Sequence, residues 1–169
     1  MDAIQAILGR RSIRKFTGEA IPESDIKLLL EAAMAAPSAC NQQPWHYIVV
    51  KNKDTFSKII EAQLYTNMLP KASVAIIVCA DPELQTCPGH WVQDCSASTE
   101  NLLLAAHAMG YGATWCGIYP NDDVVWKIKK LLGIPKQAFP LCVIAVGVPN
   151  EEKPPANRYK KERVHNEKW

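Results

Sequence analysis

The sequence predicts one domain in which helices and strands alternate, and three observations carry that reading. Segments with apolar residues at helical spacing are interleaved with short β-rich runs, so that a helix between two strands recurs. No Pro/Gly-rich linker interrupts residues 1–150. A chain of 169 residues, 48% hydrophobic and 21% charged, also buries roughly 70% of the surface its unfolded form exposes, a core that needs no metal or disulfide staple.

Each element has its own local cause. Asp2 caps a short helix that carries Ile4, Ile7 and Leu8 on one face and stops at Gly9. The basic stretch 10–16 is a loop between helices. Pro22 sits in a first helical turn, where its missing N–H costs nothing, and Ile26, Leu29, Leu30 and Ala33 follow at helical spacing as far as Pro37. Residues 45–50 form a β-rich run, Asp54 opens a helix with Phe56, Ile59, Ile60 and Leu64 as its stripe, and the apolar run 73–79 reads as a buried strand. Residues 91–109 lack Gly and Pro and place an inward face at 92, 95, 99, 102, 103, 106 and 109, with Gly110 as the stop. The second half of this helix is apolar nearly all round at 102–106, which places core on one side and another subunit on the other. A short strand follows at 113–118. Asn121 then caps a helix with Val124, Val125, Ile128, Leu131 and Leu132 inward and Gly133 after it, and 139–148 is the last strand. The remainder, 151–169, is a tail too polar to form its own core; Val164 and Trp169 favour docking over disorder.

Composition removes several function classes. Nineteen Lys and Arg against seventeen Asp and Glu leave a net charge of +2, no whole-protein field for a polyanion, so any anion site is local. The longest apolar runs fall far short of the roughly 20 residues of a spanning helix, and the N-terminus lacks the basic-then-apolar order of a secretory leader, so a cytoplasmic protein is expected. Six cysteines include no Cys-x-x-Cys pair, and most are expected reduced and buried. The four histidines do not fall at metal-ligand spacing, and no Gly-x-Ser-x-Gly elbow is present.

Three motifs carry candidate chemistry. Arg10, Arg11, Ser12 and Arg14 place three guanidinium groups and a hydroxyl within five residues, enough to fork onto phosphate oxygens, although a solvated basic loop has the same spacing. The stretch 36–45 contains Pro37, Ser38, Asn41, Gln42 and Gln43, more amide capacity than a turn requires, and suits a ring edge of alternating donors and acceptors such as a flavin or a base; plain turn chemistry is the alternative. Gly110 to Gly117 is no dinucleotide fingerprint, because its glycines follow a helix and open a strand. Gly117 either lets backbone N–H groups approach a planar ligand or answers a packing need.

In this order, the basic cluster, the Pro-Ser-x-x-Asn-x-Gln-Pro-Trp bend, the long apolar helix, the Trp-Cys-Gly turn and the Pro-Pro-x-Asn-Arg tail resemble the nitroreductase family across essentially the whole chain. The resemblance implies an α+β, three-layer fold with a mixed central sheet flanked by helices. It also implies an intertwined homodimer whose tail, 151–169, reaches onto the partner subunit, with FMN bound at the interface. Carried over by position, Arg10, Ser12 and Arg158 hold the FMN phosphate with Arg11 nearby, and Arg14 faces the N1/C2 carbonyl side of the ring, where its charge favours the anionic reduced flavin. Pro37, Ser38, Asn41 and Gln43 come from the other subunit. Thr114, Trp115, Cys116 and Gly117 line the N5 side, and Asn67 is the counterpart of a pyrimidine-edge amide. Larger relatives have an acidic residue where Cys116 stands. The implied activity is an FMN-dependent NAD(P)H oxidoreductase that moves a hydride through flavin N5 to nitroaromatic, quinone or related small-molecule acceptors by a ping-pong route. Reductive dehalogenation, flavin storage and a non-redox nucleic-acid-binding module are the alternatives, the last opposed by the near-neutral charge.

Overall fold

Why the run at 73–79 is uniformly apolar is plain from its place: in the computed structural model, which describes all 169 residues, it lies inside a sheet covered on both faces. Strand β1 (Trp45–Val50) pairs with β2 (Val74–Ala80), β2 with β4 (Phe139–Gly147), and β4 with β3 (Gly112–Gly117), giving the order β1-β2-β4-β3 with β1 and β3 at the edges. All three pairings are antiparallel. The expected mixture of strand directions is thus reduced to one parallel bridge, Ser12 beside Ala113, because β4 runs opposite to both its neighbours.

Helices α2 (Glu23–Met34) and α4 (Trp91–Ala108) cover one face, and α3 (Lys53–Ala62) and α5 (Asp122–Leu132) cover the other. The period-two alternation of β2 separates the two cores. Val74, Ile76, Val78 and Ala80 meet Ile26, Leu29, Leu102, Leu103 and Ala106, while Ala75, Ile77 and Cys79 meet Phe56, Ile59, Val125 and Ile128. Asn121 and Gly133 close α5 as expected, the glycine in the left-handed region at φ 66°.

Several expectations need correction. Helix α1 (Ala3–Gly9) has its Asp2 cap, but Ile4, Ile7 and Leu8 are 64%, 53% and 66% exposed and only Ala6 is buried. Gly9 sits so close to α4 that a Cβ there would lie 2.8 Å from His107 Nε2, and at that approach the contact face admits only a small residue. Helix α3 stops before Leu64 because Gln63 turns extended at φ −135°, so Leu64 leaves the stripe and is exposed. Most of the cysteines, four of the six, are buried free thiols as expected; the exception is Cys40, bonded to Cys87, 47 residues away. The tail, expected on a partner subunit, stands off its own chain: residues 155–169 make no side-chain hydrogen bond or ion pair outside the tail, and Trp169 stacks only on His165. No helix is long and apolar enough to cross a membrane.

Candidate active site

The site begins with one backbone bond. Ile13 N–H donates to the Ala113 carbonyl at 3.0 Å, so Ala113 turns its peptide group to the outer edge of β3, and by strand alternation Trp115 and Gly117 turn theirs the same way. Gly112 permits this seam, since a Cβ there would come within 2.7 Å of the Ile13 side chain. Beyond Ile13 the chain leaves the edge, and the peptides of Trp115 and Gly117 open onto a cleft of about 590 Å³. Its lining is Arg14, Leu64, Tyr65, Asn67, Met68, Trp115, Cys116 and Gly117.

The far wall is the turn that follows α3. Buried Gln63 donates from its side-chain amide to the Gly117 carbonyl, and the Cys116 thiol donates to the Tyr65 carbonyl at 3.1 Å. Burial pushes the Cys116 thiol up to about 11, with Arg14 opposing, so it is a neutral donor at pH 7 and no nucleophile. Asn67 donates to the Leu64 carbonyl at 3.1 Å, which fixes its amide at the cleft wall. Arg14 reaches the cleft with its guanidinium free of any hydrogen bond or ion pair within the chain. A position where a Cβ at Gly117 would meet nothing within 4 Å, a free fixed cation and an open peptide edge together accept a flat, polar-edged, electron-rich group.

Of the residues singled out from the sequence, Arg14, Asn67, Trp115, Cys116 and Gly117 converge on this cleft. Thr114 does not line it: its side chain points inward, fully buried, and its Oγ1 lacks a hydrogen-bond partner. Ser12 lies one step away, on the bridge to Ala113. Arg10 Nε is 3.3 Å from Glu100 Oε1. Arg11 turns aside to cap carbonyls, with Nε on Pro154 at 2.9 Å and Nη1 on Leu8 and Arg10. Buried Arg11 Nη2 lacks a hydrogen-bond partner, and Arg10 Nε has only its ion pair with Glu100, which leaves donor capacity beside the seam. Arg158 is exposed with no partner on its own chain.

Pro37, Ser38, Asn41 and Gln43 lie elsewhere, before edge strand β1. Here Cys40, Asn41 and Gln43 all have positive φ, at 51°, 52° and 46°. Such a run costs free energy and persists only where neighbours enforce it. The enforcers are the Cys40–Cys87 bond and buried Asp94 on α4, which accepts from Ala39 N at 2.9 Å and from Gln42 Nε2 at 2.5 Å. Gln42 in turn accepts from Cys87 N at 2.9 Å. Sequence reasoning missed Leu64, Tyr65 and Met68 as cleft residues and Asp94 and Gln63 as supports. A polar Gln at the end of a helical stripe was a visible signal for the turn; Asp94 had none, because an acidic residue in a first helical turn is ordinary.

Comparison with known proteins decides the lineage. The description "Nitroreductase family" matches residues 7–86 and 88–148. The chain belongs to the nitroreductase family. A "Putative NADH dehydrogenase/NAD(P)H nitroreductase" of Methanothermobacter thermautotrophicus is 47% identical over all of this chain and 88% of its own. A Parabacteroides distasonis protein of the same name superposes with TM-score 0.95 at 36% identity, covering 99% of this chain and 98% of that one. An FMN-dependent nitroreductase from Clostridium difficile superposes with TM-score 0.90 at 26% identity, over 98% and 99% of the two chains. The family match ends at 148, where the N-terminal segment pairs with the chain beyond β4, Thr17 N donating to Val148 O at 3.0 Å and Phe16 bridging to Pro149.

Proposed function

We propose that this nitroreductase-family chain is an FMN-dependent NAD(P)H oxidoreductase that works as a homodimer. FMN, when bound, supplies the chemistry: a hydride taken at N5 from NADH or NADPH and two electrons passed in a second half-reaction to a nitroaromatic, quinone or related acceptor. The observation that carries the reading is the cleft at the β3 edge, where the unpaired Arg14 guanidinium shares a pocket with the outward peptides of Trp115 and Gly117. The residues then need only bind, orient and polarise. Arg14 supplies a fixed positive charge at the pyrimidine side, and the Trp115–Gly117 edge supplies backbone donors at the other. Thr114 contributes through its place in the strand, Asn67 through its amide. Arg10, Ser12 and Arg158 hold the phosphate, with Arg11 bracing the loop from behind.

A homodimer accounts for the distance between the two regions that this reading assigns to one site. The bend at 37–43 adjoins β1 and the cleft adjoins β3, three inter-strand steps or about 14 Å apart across the sheet. On this reading Pro37, Ser38, Asn41 and Gln43 complete the cleft of a second copy. The exposed Ile4, Ile7 and Leu8, on a helix packed against α4, offer the apolar face for that pairing. The extended tail reaches the same partner.

The visible spectrum of the purified protein, before and after anaerobic NADH or NADPH, tests the reading. Flavin absorption that bleaches on reduction, with turnover across a panel of acceptors, supports it; protein that stays colourless after incubation with FMN refutes it.

A further inference from the structure

We propose that Glu151, braced by Lys153, is a positioning residue that holds Arg14 at the cleft and ties the start of the tail to it. The proposal rests on the cofactor reading above and concerns how that site is assembled. Three contacts carry it. Glu151 Oε1 accepts from the backbone N–H groups of both Arg14, at 2.5 Å, and Lys15, at 3.2 Å, across 137 and 136 residues of sequence. Lys153 Nζ stands 3.5 Å from the same oxygen and donates to the carbonyl of Ser12. Arg11 Nε closes the far end on the Pro154 carbonyl at 2.9 Å.

One carboxylate thus splints two consecutive amides, and one ammonium clips the peptide two residues before them. Between these ties the backbone of 12–15 is fixed against 151–154, just where it departs from the β3 edge. The neighbouring bonds extend the splint, since Thr17 N donates to Val148 O at 3.0 Å and Asn150 N to Lys15 O at 2.8 Å. Arg14 itself makes no side-chain bond in the chain, so nothing except its backbone anchorage sets where its charge lies. A charge meant to act on a bound ring must be held within a fraction of an ångström, and a flexible side chain on a loose loop does not achieve that. The Arg14 N–H, with help from Lys153, holds the Glu151 carboxyl below its ordinary value, so the splint is ionised at neutral pH. Because residues 151–154 begin the tail that carries Arg158, the same splint sets the direction in which the tail leaves.

Glu151→Ala and Glu151→Gln, compared in the full-length protein, test this. The glutamine keeps an acceptor for both amides; the alanine removes it. The expected result is an FMN dissociation constant raised about tenfold or more in Glu151→Ala and within about threefold of wild type in Glu151→Gln. The midpoint potential of the flavin bound to Glu151→Ala falls below that of Glu151→Gln, which has lost the same carboxylate charge, because in the alanine variant the Arg14 charge no longer stabilises the reduced ring as well; a merely structural residue would leave the two variants at one potential. Amide exchange at Arg14 and Lys15 accelerates in the alanine variant and stays slow in the glutamine variant. Wild-type affinity and potential in Glu151→Ala overturn the splint while leaving the cofactor reading intact. A wild-type protein that takes up no FMN overturns the cofactor reading itself, and with it any role of the splint toward that cofactor.

Discussion

The bend at 37–43 and the seam at 11–15 are both loops that place polar groups, yet they are built in opposite ways. The bend is a strained coil: three non-glycine residues at positive φ, pinned by a disulfide and a buried carboxylate. The seam is relaxed extended chain that borrows its order from the edge of β3 and from residues 148–154. A strained loop holds its shape only where ties reach it, here from 47 and 55 residues further along the chain, whereas a seam is as rigid as the strand it lies on. In the proposed dimer the strained piece reaches across to a neighbour and the relaxed piece faces its own cleft, which makes sense physically, because a group projected beyond its own fold needs conformational rigidity of its own.

The largest expected effect comes from separating the two halves. Arg14→Ala disables the cleft and Asn41→Ala disables the bend, and each homodimer is expected to retain little FMN. A mixed dimer of the two chains, isolated through two affinity tags, regains one intact site per dimer, built from one chain's cleft and the other's bend. A mixed dimer that binds no more FMN than its parents breaks the assignment of the bend to the partner's cleft.

Next comes the tie that the bend has and the seam lacks. Closing a loop across 47 residues stabilises the fold by about 4 kcal/mol in the chain-entropy account, so Cys40→Ser is expected to lower unfolding free energy by about 2–4 kcal/mol in urea. A dithiol reductant lowers the wild type by a similar amount and leaves the variant unchanged. A third effect sharpens the role of the tail: Arg158→Ala costs about 1.5–3 kcal/mol of FMN affinity, or roughly ten- to a hundredfold, if its guanidinium holds the phosphate. An unchanged dissociation constant removes Arg158 from the site.

How far each region could be read from sequence follows from the same contrast. Periodicity marked every strand and long helix, since β2 and α4 owe their patterns to burial that local spacing records. The basic cluster that holds Arg14 and the glycine-bounded strand that ends at Gly117 were legible as local motifs, whereas Trp115 was singled out only through the family resemblance. What was not legible depends on long-range pairing: Glu151 with Arg14, Asp94 with Ala39, Cys40 with Cys87, separated by 137, 55 and 47 residues and each an ordinary residue type where it stands. The outward face of α1 misled for a related reason. Its spacing is amphipathic, but which way the stripe faces depends on a close approach at Gly9 that no pattern reveals.

The smallest expected effect concerns the thiols and bears on both regions at once. Burial raises Cys116 to about 11 and Cys79 and Cys95 to about 12, and raises Cys142 as well, while Cys40 and Cys87 are bonded to each other. Native protein at pH 8 should therefore take up no iodoacetamide, and after mild reduction it should label at Cys40 and Cys87 only, because the thiolate is the nucleophile. The sign of the linked stability follows. A thiol whose folded value lies above its unfolded one binds its proton more tightly in the native state, so its contribution is whole below about pH 8.5 and is lost as pH rises through 9 to 12. Alkaline denaturation monitored by circular dichroism should accordingly begin above pH 9. Cys116→Ser keeps a hydroxyl donor for the Tyr65 carbonyl but removes one of the titrating groups, and so should flatten the alkaline limb while leaving stability at pH 7 within about 1 kcal/mol of wild type. Rapid labelling of Cys116 at pH 8 would instead mean that its thiol opens to the cleft, and the wall between the strand and the Tyr65 turn would have to be redrawn.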